Sequence, residues 1–541
     1  MTARVRLCHG VVLLLAIGLS GAPARAFEPS STHPGLTAHA LLASKLHTML
    51  TRAGWPQGLF QELRLDPTQM SRRDFHRLSR DLARLDPAGG YAPAASGYLR
   101  AVGWVMAGSV LAQRPASQGR NHFYCPPLHN GLRNATPLVG TLLGMLGVVE
   151  GSDTVRAFFT GTGFDLTGKA APDWVTDPDS PWTVQGFHDE LARSVAARAV
   201  RRRQHHLALA LIHLGAVLHV LQDMASPTHV RNDFRVGHLE QLGRSTFNRG
   251  SVFERFVAEH HGQFGLPHYS GPPIQRARVR DYFTNAHYTG LADITTINHF
   301  SPGTTPAMVQ VLPETDLSEL RQRLQQKLPL AMPALKPLDP ACLCLHRPGS
   351  KPAGHHCRAV CEMKGQWGPV LAYTLDPDDH LRFFLDRSCH MTAARHLLPL
   401  AVGFSTGLVD HLIHAQIALK QTDQELELQN TGVELASAKA QLIMESADNT
   451  RSRMRPLELK LPAAKNATLA RFSVPRLPQS ARALLVLING KDRSGDSVVA
   501  VVRWDTRAPT GVPHSALQSG STAPRAKRGS PARVRSGARK M

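Results

Sequence analysis

"HLGAVLHVLQDMASPTHV", residues 213–230, is the stretch on which the reading of this chain turns. His219 and Asp223 stand four positions apart, which sets both on one face of a helix. The residues before them, "LALALI" (207–212) and "LGAVL" (214–218), are apolar, so the helix is expected to be buried. A carboxylate on a buried face needs a compensating partner, and a metal ion is a good one. Pro227 ends or bends the helix, and His229 follows at once. Imidazole and carboxylate together suit zinc. The spacing alone also fits a solvated helix, because H-x-x-x-D is common on exposed faces.

Outward from this stretch the periodicity stays mostly helical. "LTAHALLASKLHTMLTRAG" repeats apolar residues at three and four and stops at Gly54. "SVFERFVAEHHG" and "AARHLLPLAVGFSTGLVDHLIHAQIALK" read the same way. The pair His205 and His206 is expected on an exposed face. The pattern changes after about residue 420. "LELKLPAA", "ATLARFSVP", "ARALLVLING" and "SVVAVVRWD" are short strand-like runs separated by turn residues, as in a small β-sandwich. The expected class is therefore mainly α, with a helical domain over 27–420, a Cys-rich insertion at 337–390, a β-rich domain over 421–506 and a disordered basic tail over 507–541.

The ends suggest the compartment. Arg4 and Arg6 precede "VVLLLAIGLSG", and "APARA" supplies small residues before a cut after Ala26. This reads as a signal peptide over 1–26, so the chain is expected to be secreted or periplasmic with Phe27 first in the mature protein. No later segment is expected to reach membrane-spanning length, and glycines break the apolar run 137–149. The formal net charge is +21, and the last twenty residues carry seven Arg and Lys and no acid. Such a tail can touch a polyanion such as nucleic acid or anionic lipid, or stay solvated. With Cys8 removed, six cysteines remain: Cys125, Cys342, Cys344, Cys357, Cys361 and Cys389. Disulfides are expected in an exported chain; a small zinc site beside His355 and His356 is the alternative.

Three pieces carry a family resemblance. "LGAVLHVLQDMASPTH" resembles the LG-x-x-LH-x-x-x-D-x-x-x-P-x-H motif of zinc-dependent phospholipases C and S1/P1 nucleases. "RNHFYCPP" is similar to that family's H-F-Y-D-P segment, and "GLTAHALLASKL" to its N-terminal segment. The resemblance covers most of the helical region and excludes the β-rich part and the tail. It implies a cluster of two or three zinc ions. His122, His219 and Asp223 would hold the first. Phe27, through its amine and carbonyl, would hold a second with His39 and a bridging Asp223. His229 and Glu254 would hold a third. It also implies phosphodiester hydrolysis, with Asp223 organising the cluster.

The chain departs from the family pattern in three places. Gly250 stands where the family has a His, and His238 is a candidate replacement. No acid occurs between Asp86 and Glu150, where the family places an Asp ahead of H-F-Y; Gln113 or Ser109 would occupy its place. The Asp of H-F-Y-D-P is Cys125. An amide cannot take up a proton as a carboxylate does, so reduced activity is expected. The implied substrate is a phospholipid, favoured by the β-rich region as a surface-docking module. A single-stranded nucleic acid is the alternative. A non-catalytic, metal-binding envelope protein on the same scaffold is the competing reading.

Overall fold

The computed structural model describes residues 32–83, 85, 92–93, 97–113, 116–133, 167–233, 251–260, 269–310, 360–376, 378, 380–422 and 425–506. The leader, Phe27, the apolar run 137–149, His238, Gly250 and the basic tail lie outside them.

The helices are α1 (Thr32–Ala43), α2 (Leu46–Arg52), α3 (Arg72–Leu82), α4 (Ala101–Leu111), α5 (Ala171–Trp174), α6 (Val184–Ala196), α7 (Val200–Asp223), α8 (Pro227–Val230), α9 (Val252–His260), α10 (Val279–Phe283), α11 (Leu291–Asn298) and α12 (Arg387–Leu412). They pack around α7 and α12, which are buried along most of their length. Helix α7 does have the length and apolarity of a membrane span, contrary to the sequence expectation. Its burial inside the helical core accounts for that composition.

The motif glycine of α7 has a steric cause. A Cβ on Gly215 would lie 1.9 Å from the Val105 carbonyl oxygen of α4, and one on Gly108 would lie 2.3 Å from the Ile212 carbonyl oxygen. The two helices therefore cross glycine against glycine. This fixes the height of α7 one turn before His219.

Strands β1 (Glu62–Arg64) and β2 (Tyr98–Arg100) form a small antiparallel pair. A second sheet has the order β3-β6-β5-β4, from β3 (Val309–Gln310), β4 (Cys361–Lys364), β5 (Pro369–Leu375) and β6 (His380–Phe384). The described part of the Cys-rich segment holds β4, β5 and β6 of this sheet and the first residues of α12, and the sheet has a small core around Phe300, Leu371, Tyr373 and Leu381. Cys361 is disulfide-bonded, but Cys125 and Cys389 are buried free thiols. Pairing thus does not extend to those two.

The C-terminal region is a β-sandwich. One sheet is β10-β9-β12-β13 and the other β11-β8-β7. The strands are β7 (Ile417–Gln421), β8 (Glu425–Asn430), β9 (Leu435–Ser446), β10 (Arg451–Leu457), β11 (Thr468–Ser473), β12 (Ala481–Asp492) and β13 (Ser497–Asp505). The central strand β12 is apolar on both faces. Leu484, Val486 and Ile488 enter the sandwich core, while Leu485 and Leu487 join the helical core with Ile443 and Val499. The two-residue alternation of a strand divides one run between two cores.

Candidate metal centre

Four buried side chains from three distant segments meet at the C-terminal end of α7. His33 comes from the start of α1, His122 from the end of a 3₁₀ turn (Ala116–His122), and His219 and Asp223 from α7. Asp223 Oδ2 accepts a hydrogen bond from His122 Nδ1 at 2.8 Å and lies 3.2 Å from His219 Nε2. Its Oδ1 lies 3.3 Å from His33 Nε2. The rings of His33 and His219 stack with centroids 3.7 Å apart.

The ring of His33 is held from behind. Its Nδ1 donates to Gln222 Oε1 at 2.8 Å, and Gln222 in turn donates to Thr37 of α1 and Ser405 of α12. Three helices therefore decide which nitrogen of His33 turns toward Asp223, an orienting role typical of residues behind a metal ligand. Trp174 packs against His122.

Burial favours neutral imidazoles here. It pushes His219 down to about 3 and lowers His122 as well. Burial opposes the charge of Asp223. His219, His229 and the hydrogen bonds from His122 and His219 nevertheless hold its carboxyl well below the ordinary range. Neutral imidazoles beside an ionised carboxylate are in the protonation state that a metal requires. The donor atoms of His33, His219 and Asp223 all lie within 4.8 Å of one another. His122 Nε2 and His219 Nδ1 are buried nitrogens with no hydrogen-bond partner among the described residues. This nitrogen-rich set with one carboxylate fits a zinc-type cation.

The predicted residues divide as follows. His122, His219 and Asp223 come together. His39 does not join them; His33 does. His39 lies on the same helix but roughly 120° round from His33, at 3.6 residues per turn, and is partly exposed. His229 and Glu254 pair with each other, Nε2 to Oε1 at 3.4 Å. His229 Nδ1 donates to the His122 carbonyl at 2.8 Å. Ser226 Oγ and the Ser251 backbone N–H each donate to Glu254 at 2.7 Å. Burial would lower His229, but Asp223 and Glu254 outweigh it and raise it to about 9. The pair is arranged as a buried ion pair, and the described residues bring it no third ligand.

Of the two proposed replacements for the missing acid, Gln113 is the one beside the cluster, its amide nitrogen 3.4 Å from His219 Nε2. Ser109 instead donates to the Met106 carbonyl. Cys125 is buried and its backbone bridges to Asn130. His205, expected on an exposed face, is buried and accepts the Asp66 backbone N–H at 3.1 Å.

No family model matches the chain, and no curated protein matches its sequence. Among solved structures, an alpha toxin from Clostridium absonum is 10% identical, with a TM-score of 0.24 over 88% of this chain and 92% of that one. The alpha-toxin of an avian strain of Clostridium perfringens is 11% identical, with a TM-score of 0.22 over 89% of this chain and 99% of that one. Likenesses of that size carry no argument about this chain, and the fold and the centre are argued from its own residues.

The exchange of His39 for His33 has a measurable consequence. His33→Ala should lower zinc affinity by at least about tenfold, whereas His39→Ala should leave it within about twofold. Competitive titration with a chromogenic chelator distinguishes them. Equal losses in the two variants would remove His33 from the centre.

Proposed function

We propose that the chain is an exported zinc-dependent phosphodiester hydrolase, acting on phospholipids in the manner of a phospholipase C. The observation that carries this reading is the buried Asp223 carboxylate, faced by His33, His122 and His219. The motif resemblance around "LGAVLHVLQDMASPTH" supports it. So does the sandwich that follows the helical domain, which supplies a second surface for contact with a lipid layer. His33, His122, His219 and Asp223 would hold the metal, and two or three zincs are proposed, with Phe27 as a further donor. Zinc bound there supplies a water that ionises near neutral pH and a Lewis acid for a phosphoryl oxygen.

The chain's own groups do the rest. Asp223 supplies the negative charge that retains a cation in a buried site. Gln222 keeps the His33 ring in position. His229 faces Glu254 through Nε2 and donates from Nδ1 to the His122 carbonyl, so the pair holds the segment that carries His122. Gln113 presents an amide where the family has a carboxylate, and it cannot take a proton from an attacking water. Turnover is therefore slower than in a chain with that acid. The same amide favours a second reading, in which the centre binds metal without catalysis.

The test uses chain beginning at Phe27, purified without chelator. Zinc per chain is measured first. Hydrolysis of phosphatidylcholine vesicles and of single-stranded DNA is then followed with and without chelator. Phosphocholine release that stops with chelator and returns with zinc supports the lipid reading, and DNA cleavage alone transfers it to a nuclease. Bound zinc with neither activity supports the non-catalytic reading. Less than one zinc per chain overturns all three.

A further inference from the structure

The opposite end of α7 carries a feature of a different kind. Between the helical domain and the sandwich lies a cleft of about 690 Å³, lined by Arg193, Arg198, Arg202, Arg451, Arg453 and His206, with no carboxylate in its wall among the described residues. The metal centre is at the other end of the same 24-residue helix, roughly 30 Å away at 1.5 Å per residue. The cleft is thus separate from it.

The positive charge of this cleft is only partly compensated. Glu190 lies behind the wall and is taken up by Arg193 and His206. Below the floor, Glu445 is shared between Arg451 at 2.8 Å and Arg503 at 2.7 Å, and Arg503 also reaches the half-exposed Asp505. A third buried guanidinium, Arg203, adds to this group. Burial, and then the charge of Arg451, lowers Arg203 to about 10. Arg198, Arg202 and Arg453 are exposed and form no ion pair among the described residues. At the rim the exposed Asp448 accepts from the backbone N–H and hydroxyl of Thr450, and the charge of Arg198 also acts on it, so Arg198 is offset in part.

We infer that this interdomain cleft binds a small, multiply charged phosphate-bearing anion. Three exposed arginines that make no close ion pair among the described residues line a concave space within the size range of small-molecule sites. Guanidinium forks match phosphate oxygens two at a time, which favours phosphate over an acidic peptide. Such an anion would lie across the domain boundary, since Arg198 and Arg202 belong to the helical side and Arg453 to the sandwich. The source is either a free polyphosphate or the headgroup of an anionic lipid. The inference does not depend on the zinc reading.

The test uses the whole chain, because the basic tail also attracts anions. Three proteins are compared: wild type; the cleft variant Arg198→Ala, Arg202→Ala, Arg453→Ala; and a control with the same loss of charge on the sandwich, Arg471→Ala, Arg476→Ala, Arg482→Ala. Inorganic tripolyphosphate is titrated calorimetrically near physiological salt. Vesicles of phosphatidylcholine with phosphatidic acid are tested by co-sedimentation. The cleft variant should lose at least about tenfold in affinity for one probe, while the control changes by less than about threefold. A cleft-dependent loss for tripolyphosphate alone identifies a soluble ligand, and a cleft-dependent loss for vesicles identifies a headgroup. The inference fails if wild type binds neither probe, or if cleft and control variants lose affinity equally. Thermal midpoints report folding. If the triple variant is unstable, Arg202→Glu, at an exposed position, makes the same comparison.

Discussion

Asp223→Asn should keep the helices and lose the proposed zinc. Asparagine has nearly the same shape, so α7 can still pack against α4 through Gly215 and Gly108. The amide carries no charge, however, and it leaves the buried His33, His122 and His219 facing a neutral group. Zinc affinity should fall by at least about 100-fold, beyond the usual cost of losing a group that only orients a ligand. Any zinc-dependent hydrolysis should fall with it. Zinc content by mass spectrometry and helicity by circular dichroism check the two halves separately. Unchanged zinc with an unchanged spectrum would mean that Asp223 is no ligand, and the hydrolase reading would go with it.

Arg451→Ala should give the largest loss of stability. Its Nε pairs with Glu445, its Nη1 donates to the Val195 carbonyl at 2.8 Å, and its Nη2 to the Ala53 carbonyl at 3.3 Å. The residue is 2% exposed. Alanine would leave Glu445 to Arg503 alone and two carbonyls unmet at the domain boundary, at a cost of about 2–4 kcal/mol. Urea unfolding at pH 7 measures it, and a loss below about 1 kcal/mol would refute the assignment. The pH dependence has a definite sign. Burial would raise Glu445, but the hydrogen bond from Arg503 and the charge of Arg451 hold its carboxyl below the ordinary 4.5. Its contribution is full above that value and is lost as the pH falls through the lower folded value. The gap between wild type and Arg451→Ala should therefore be widest at neutral pH and narrow below about pH 4.5.

Local pattern made part of this molecule legible. The spacing of His219 and Asp223 on an apolar helix carried the heart of the centre, and the change from helical to strand-like runs near residue 420 marked the sandwich, whose first strand begins at Ile417. His122 was reached only through its flanking "HFYCPP". That His33 rather than His39 stands beside Asp223 was not legible, because both sit on one short helix. What separates them is which face meets Gln222, 189 residues from His33. Periodicity on α1 does not encode that. The arginine cleft was invisible for the same reason. Arg198 and Arg202 stand close together in the sequence, and nothing local says that Arg453 folds back against them. The free thiols of Cys125 and Cys389 likewise depend on burial in separate places.

Strand β12 has a further consequence. Since its neighbouring residues Leu484 and Leu485 serve different interiors, the boundary between the helical part and the sandwich is not a joint at which the molecule can be divided. A protein ended after Leu412 would leave its own apolar wall bare, and an isolated sandwich would display Ile443, Leu485, Leu487 and Val499 to water. Each half would be prone to self-association. Dissection into separately expressed fragments is thus the wrong route to assigning roles to the two halves, and point substitutions in the intact chain are the right one.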